Sequence, residues 1–572
     1  MAKGYRKKRR RKPSFTKRIA AIGFIGVGIY LLITTFNPQN IYEDADWRGF
    51  TKPIFVHGEL MDYEAVGSGE SLQLPLPVLQ EAVDPAMRYE DGDGAIILTS
   101  PDKVLRLHVG KEEAELNTKE YELHTAPFEE QGIPYVPLQA VKEVYGVTVH
   151  EDMETGAVLL MNAGEVIQYG SAAGKDPEQE IPLYKEPDNS SAITAQMHPG
   201  DRVRIWSSNE DWHYVQMDDG YAGYTTAGKI KPTEKVTVPA LESVPTAAEQ
   251  RWKGKTINLA WEAVYNRAAD PANLQTMKGV NVVSPTWFDI TDGNGLVESK
   301  GDLEYVHKAK ELGMEVWGLL SNSFDPDMTA EALSTYDRRT AIIQKMIEYA
   351  AAYQLDGINI DFENVYTEDG PLVTQFMREL RPYAKQNDLV LSIAVTPKSN
   401  SEMWSLFLDR RALGEIADYM MVMTYDEHWA SSPTAGSVAS LPWVTAAMNK
   451  IMVEDEVPAD KLLLGIPSYT RVWSIQESGE DSGITSKAIG MDSAQDLIKQ
   501  HKLTPTFSAD TGQNYVEFTE GEVRNQIWLE DKTSLRARVD LASELKLAGI
   551  ATWNRSFANK GAWAVLNGIH QR

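Results

Sequence analysis

The sequence predicts an α/β chain: a (β/α)8 TIM barrel over residues 252–572, preceded by two small β-rich modules and an N-terminal transmembrane helix. Three observations predict it. Short apolar runs alternate with amphipathic helical stretches through the C-terminal half, as a parallel barrel demands. Within them, Leu355-Asp356-Gly357-Ile358-Asn359-Ile360-Asp361-Phe362-Glu363-Asn364 sets three polar side chains two apart in a β-prone apolar stretch. A basic segment followed by 18 uncharged residues opens the chain.

Residues 1–18 hold ten Lys or Arg and no acid, and residues 19–36 are uncharged and mostly apolar. As a helix this run is about 27 Å long, close to the roughly 30 Å of a hydrocarbon core. The basic tail then stays cytoplasmic and the rest lies outside, as a single-pass protein of the cell membrane in a Gram-positive-like envelope. A cleaved signal peptide competes, but Thr34-Thr35-Phe36-Asn37-Pro38 lacks an A-x-A-like pattern of small residues. A basic nucleic-acid arm fits poorly beside the apolar run. Beyond residue 18 stand 46 basic against 82 acidic side chains, a balance of −36, which argues against nucleic acid as a partner. Cysteine is absent, so no disulfide secures the exported part, and domains of this size bury enough core without one.

Residues 37–85 read as a linker. Over 86–163, Ala95-Ile96-Ile97-Leu98 and Val104-Leu105-Arg106-Leu107 alternate as strands, and a helical piece follows Ile133-Pro134-Tyr135-Val136-Pro137-Leu138. Residues 135–149 with Ala157-Val158-Leu159-Leu160 resemble the copper-amine-oxidase N-terminal-like module of bacterial envelope proteins; no His cluster there points to copper. Over 166–231, Ile181-Pro182-Leu183-Tyr184, Gly200-Asp201-Arg202-Val203 and Gly220-Tyr221-Ala222-Gly223-Tyr224 resemble a bacterial Src-homology-3-like module. Its Tyr184 and Trp212 are either wall-peptide contacts or filling for a small core. Residues 232–251, with Pro232, Pro239 and Pro245, read as a linker into the barrel.

Barrel strands are expected at 256–261, 280–284, 315–320, 357–363, 389–395, 418–424, 462–466 and 549–553, with helices over 303–312 and 338–353. The excursion 467–547 reads as an inserted lobe over the cleft, its later part, 525–547, containing the last covering helix. On the fourth strand, residues two apart share a face. Asn359, Asp361 and Glu363 therefore look inward near the catalytic end, while Ile358, Ile360 and Phe362 meet the helices. Two carboxylates this close do not ionise independently: a charged Asp361 and an apolar surrounding both raise the pKa of Glu363. Glu363 then serves as acid and Asp361 as its ionised partner. A Ca²⁺ site or a satisfied polar cluster in the barrel core also fits this spacing.

Asp356, Gly357, Asp361 and Glu363 resemble the D-G-x-D-x-D-x-E signature of family 18 glycoside hydrolases, with Asn359 in place of the middle Asp. The spore cortex-lytic and related peptidoglycan N-acetylglucosaminidase branch commonly carries D-G-I-N-I-D-F-E. Met423-Thr424-Tyr425-Asp426 resembles the family's M-x-Y-D. There the Tyr hydroxyl bonds the acetamido oxygen of the substrate and the Asp supports that pocket. Trp553 ends the eighth strand and matches the aromatic floor under the reacting sugar, although a lone Trp is more often core. Residues around Trp528 resemble the segment preceding the family's last helix. The resemblance thus implies Glu363, Asp361 and Tyr425 as catalytic, Asn359, Met423, Asp426 and Trp553 as substrate-binding, and Asp356 and Gly357 as structural.

It further implies retaining hydrolysis in which the N-acetyl group of the substrate is the nucleophile, acting on peptidoglycan or spore cortex with no metal or cofactor. Chitin is the alternative substrate. A lectin-like protein, or an envelope scaffold without activity, is the alternative class, against which the presence of Glu363 argues. The inserted lobe after Ile466 and the loops carrying Trp287 and Trp429 are candidates for walling off one end of the cleft.

Overall fold

The computed structural model describes residues 41–265, 271–476 and 483–571. The expected transmembrane helix at 19–36 lies outside them; among the described residues no helix is long and apolar enough to cross a membrane. The chain forms two compact units, one of residues up to 85 with 127–241 and one of residues 86–126 with 242 onward.

In the first unit the stretch expected as a linker, 37–85, is largely folded. Pro53–Val56 pairs in parallel with Val158–Met161 and antiparallel with Glu59–Glu64, Gln73–Pro75 pairs with Ile133–Pro137, and Leu76–Ala82 is helical. The cause is apolar content: Ile54, Phe55, Leu74, Leu76, Val78 and Leu79 are all buried. Helix Leu138–Tyr145 ends on Gly146 at φ 68°, a left-handed cap that glycine adopts without strain. The second module is a seven-stranded antiparallel sheet from Val166–Ala172 to Ile230–Thr237, closed over Ile181, Leu183, Val203 and Val215. Tyr184 and Trp212 are half-buried and meet edge to face at 5.8 Å. Because the last strand reaches Thr237, the expected linker at 232–251 begins inside a strand. It ends in helix Ala247–Trp252, where Thr246 and Glu249 form a capping box.

The second unit is built on a closed barrel. Its strands are β1 (Ile257–Glu262), β2 (Val282–Ile290), β3 (Glu315–Ser321), β4 (Gly357–Asp361), β5 (Val390–Val395), β6 (Tyr419–Val422), β7 (Leu462–Pro467) and β8 (Gly549–Trp553). Each pairs in parallel with the next, and β8 returns to β1. The covering helices are α1 (Leu303–Glu311), α2 (Pro326–Leu333), α3 (Tyr336–Tyr353), α4 (Gly370–Gln386), α5 (Arg410–Ile416), α6 (Leu441–Glu454), α7 (Lys532–Glu544) and α8 (Lys560–Leu566). β2 outruns its expected length because its end pairs with Val297–Ser299. β4 stops at Asp361, so Glu363 stands just past the strand end.

Alternation along the strands makes two apolar layers. Ile358, Ile360 and Phe362 pack outward with Leu391, Ile393, Val422 and Leu464 against the helices. Ile257, Leu259, Trp261, Val282, Trp317, Leu319 and Leu463 fill the interior, which is a packed core and not a pore. Helix Ala247–Trp252 adds Trp252 to that interior, edge-on to Trp317 at 5.8 Å. Gly357 is obligatory here: a Cβ would lie 2.8 Å from Trp317 Cδ1 and 2.9 Å from the Val390 carbonyl oxygen.

Between β7 and β8 the chain leaves the barrel as a five-stranded antiparallel lobe. Strand Tyr469–Gln476 pairs with Gly483–Gly490 and with Val523–Leu529, and helix Met491–Gln500 packs on the sheet. The lobe thus runs to Leu529, and Trp528 belongs to it. Trp287 is wholly buried against Tyr305 and Tyr353, which removes it from any cleft wall, whereas Trp429 is 53 % exposed.

Candidate active site

The first turn past β4 is held by main-chain clamps. Asn322, fully buried just after β3, donates from Nδ2 to the Glu363 carbonyl at 2.8 Å and accepts from the Glu363 amide at 3.0 Å. Its Nδ2 also reaches Thr329 Oγ1 on α2 at 2.9 Å. Asn364 then turns the chain at φ 56° and donates to the Phe324 carbonyl. Asp356, at the other end of β4, accepts from the Val316 amide and pairs with Lys310, so its task is to seat the strand.

Asp361 and Glu363 point into the barrel mouth. Asp361 is 7 % exposed and its Oδ1 receives no hydrogen bond. Burial pushes its carboxyl up to about 7. Glu363 lies well above the usual carboxylate range, first through burial and then through the charges of Asp361 and Asp426. The two carboxyls titrate as a pair that shares a proton near neutral pH, and Glu363, repelled by two neighbouring carboxylates, is the one raised further. The sequence expectation names both causes; in the folded chain burial leads. Burial, with Asp361, Tyr469, Glu363 and Asp426 around it, also lifts the Tyr425 phenol well above its ordinary value, so it remains a hydrogen-bond donor.

Asp426 follows Tyr425 with a left-handed backbone, φ 58°, which Asp tolerates better than most residues. Its Oδ1 accepts from Tyr469 Oη at 2.7 Å and from Arg471 Nη2 at 2.9 Å. Both partners come from the first strand of the lobe, which the Trp473 indole pins to the Gly436 carbonyl at 2.8 Å. Sequence reading missed Asn322, Tyr469 and Arg471. The signal for the last two is the alternation Tyr469, Arg471, Trp473, which on a strand faces one way.

One expected substrate contact, Asn359, lies beneath the cleft. Asn359 is fully buried: its Oδ1 accepts from Trp261 Nε1 at 3.0 Å and Ser284 Oγ at 3.3 Å, while its Nδ2 donates to Ser392 Oγ at 3.2 Å and Met421 Sδ at 3.4 Å. All four hydrogen-bonding positions of the amide are matched inside the barrel, leaving none for a ligand. Met423 is 8 % exposed and packs in the interior cluster that Tyr425 and Trp553 border. Trp553, at the end of β8, is half-buried and meets Trp261 edge to face at 6.0 Å. The arrangement is thus a carboxyl held well above its ordinary pKa beside a second carboxyl short of a hydrogen-bond donor, a phenol, and an indole, over an amide floor.

Residues 324–558 match glycosyl hydrolases family 18, residues 55–160 the copper amine oxidase N-terminal domain, and residues 183–228 the bacterial dipeptidyl-peptidase Sh3 domain. The uncharacterized glycosylase YvbX of Bacillus subtilis is 25 % identical over 285 residues, 48 % of this chain and 80 % of that protein. The cortical fragment-lytic enzyme of the same organism is 25 % identical over 260 residues, 45 % of this chain and 59 % of that protein. The crystal structure of the Bacillus megaterium spore cortex-lytic enzyme SleL superposes with a TM-score of 0.50 at 20 % identity, over 59 % of this chain and 77 % of that one, a likeness of fold.

Proposed function

This chain carries a family 18 glycosyl hydrolase domain, and from that premise we propose a retaining glycosidase of the N-acetylglucosaminidase type that cleaves β-1,4 bonds in peptidoglycan or spore cortex. The observation that carries the reading is the buried Asp361 and Glu363 pair at the end of β4, with Asp361 Oδ1 short of a hydrogen-bond donor and both carboxyls raised by burial. Glu363 gives a proton to the glycosidic oxygen as the C–O bond breaks, and the leaving sugar departs as an alcohol. The acetamido carbonyl oxygen closes on the anomeric carbon to give an oxazolinium ion. Its N–H supplies the hydrogen bond that Asp361 Oδ1 lacks, which holds Asp361 ionised beside the developing positive charge; the Tyr425 phenol donates to the acetamido oxygen. Glu363, now a carboxylate, takes a proton from water, whose oxygen opens the oxazolinium on the face the leaving group vacated. Two inversions give net retention.

The names of two matched relatives, a sporulation-specific glycosylase and a cortical fragment-lytic enzyme, support cell-wall glycan as the first substrate to test, and the chitinase among the matches makes chitin the second. The ten basic residues before an uncharged run of 18 support a membrane anchor with the barrel on the outer side; full-length protein found in the soluble fraction would refute that. The decisive experiment is mass spectrometry of products from full-length, detergent-solubilised protein and its Glu363→Gln variant. Substrates are purified peptidoglycan, spore cortex and chitin oligomers. New reducing N-acetylglucosamine ends from wall material, absent with the variant, are expected. Cleavage of chitin alone would change the substrate, and binding without cleavage would make the protein a lectin.

A further inference from the structure

Residues 86–126 lie inside the stretch that matches the copper amine oxidase N-terminal domain, yet they pack with the barrel. They form a five-stranded antiparallel meander: Arg88–Glu90, Ala95–Thr99, Val104–His108, Glu113–Leu116 and Lys119–Glu122. In its register Ile97 stands opposite Arg106 and Thr99 opposite Val104, so Ile97, Val104 and Arg106 share one face. Ile97 and Val104 are fully buried in the same apolar cluster as Ile342, Ile343, Phe376 and Leu380 of α3 and α4. Arg106 bonds Asp337 at 2.6 Å and lies over the Tyr336 ring at 4.7 Å. Asp102 pairs with Lys385 on α4 at 2.6 Å.

The centre of this contact is a buried ion cluster. Arg339 on α3, fully buried, grips Glu379 on α4 with two bonds of 2.8 Å, and the Glu379 side chain is also fully buried. Glu90 of the meander takes a further bond from Arg339 at 2.9 Å, and its other oxygen accepts from the Tyr336 amide at 2.9 Å. Arg88 stands 3.5 Å from Glu90. Two cations and two anions are thus shared across the contact, the balance a buried charge cluster needs. Helices α3 and α4 are those that enter and leave β4, the strand that carries Asp361.

We infer that the meander 86–126 is a built-in partner of the barrel, a brace inserted in the first module whose docking surface is the α3 and α4 face around Arg339. The face does not await a foreign protein; its occupant is this segment. A barrel cut out at residue 242 would leave that apolar face bare.

The test uses the full chain with specific protease sites placed at 85/86, 126/127 and within 238–246. After complete cleavage, the 86–126 fragment is expected to elute from gel filtration with the barrel fragment, 247–572. Elution free, or with the fragments ending at residue 85 and beginning at residue 127, would overturn the inference. Val104→Glu in uncut protein gives a second measurement. It places a charge in the shared cluster and is expected to lower the unfolding midpoint of the barrel, read by intrinsic tryptophan fluorescence, and to release the fragment after cleavage. An unchanged midpoint with the fragment retained would equally overturn the proposal. Neither readout requires turnover, so both stand whatever the substrate of the enzyme proves to be.

Discussion

Asp361→Asn should make the barrel more stable at pH 8 while removing activity. In the fold the Asp361 carboxyl is pushed from an ordinary 3.8 up to about 7, a shift of about three units, or about 4 kcal/mol. Because the folded pKa is the higher one, the folded form holds more protons than the unfolded form between about pH 4 and 7. Stability therefore falls as pH rises through that window and levels off above it. The burden is present at pH 8 and absent at pH 4. An amide of the same shape removes it, and the cost of burying that amide reduces the gain to about 2–4 kcal/mol. The assay is thermal unfolding of both proteins from pH 4 to 9, comparing the difference between them so that Glu530, also raised to about 7 by burial, cancels. The variant should match the native protein near pH 4 and exceed it by several degrees at pH 8. A variant that is equally or less stable at pH 8 would refute the reasoning, since it would mean the Asp361 charge is satisfied in the free enzyme.

Other substitutions probe the supports of the site. Asn322→Ala strands the partly buried amide and carbonyl of Glu363, at about 1–3 kcal/mol in total, and should lower kcat ten- to a hundredfold in steady-state assays with a soluble glycan. Arg471→Ala removes a charge-assisted bond to Asp426; since Asp426 is 43 % exposed, the loss in kcat/KM should be about tenfold, and Tyr469→Phe should add to it. Gly357→Ala drives a methyl group into Trp317 and the Val390 carbonyl, and denaturant titration should report a loss of about 1–3 kcal/mol.

The barrel was legible because its strands are buried on both faces and read as apolar runs. The D-G-I-N-I-D-F-E segment was legible because polar residues every second position cannot all belong to such a core. What escaped was non-local. Asn322 is an ordinary amide in sequence, and only the pairing of β3 with β4 brings it to Glu363. Tyr469 and Arg471 reach Asp426 across 43 and 45 positions. The folded part of 37–85 escaped because its strands are short and their pairings distant: Pro53–Val56 meets Val158–Met161, and Gln73–Pro75 meets Ile133–Pro137. Asn359 was placed in the cleft because alternation gives a face but not a depth.

That depth sets the proton inventory of the enzyme. Ser392 Oγ donates to the Ile358 carbonyl at 3.2 Å, so it meets Asn359 Nδ2 with a lone pair, and the Met421 sulfur has only lone pairs to offer. The floor is wired for an amide: an acid at position 359 would turn two attractive contacts into repulsions and set a buried anion two residues from Asp361. With an amide in place of an acid at position 359, the alkaline limb of the pH–rate curve is expected to follow the upper carboxylates, Asp361 and Glu363. A single ionisation there, not a chain of three acids passing charge along a strand, is what this barrel is built to use.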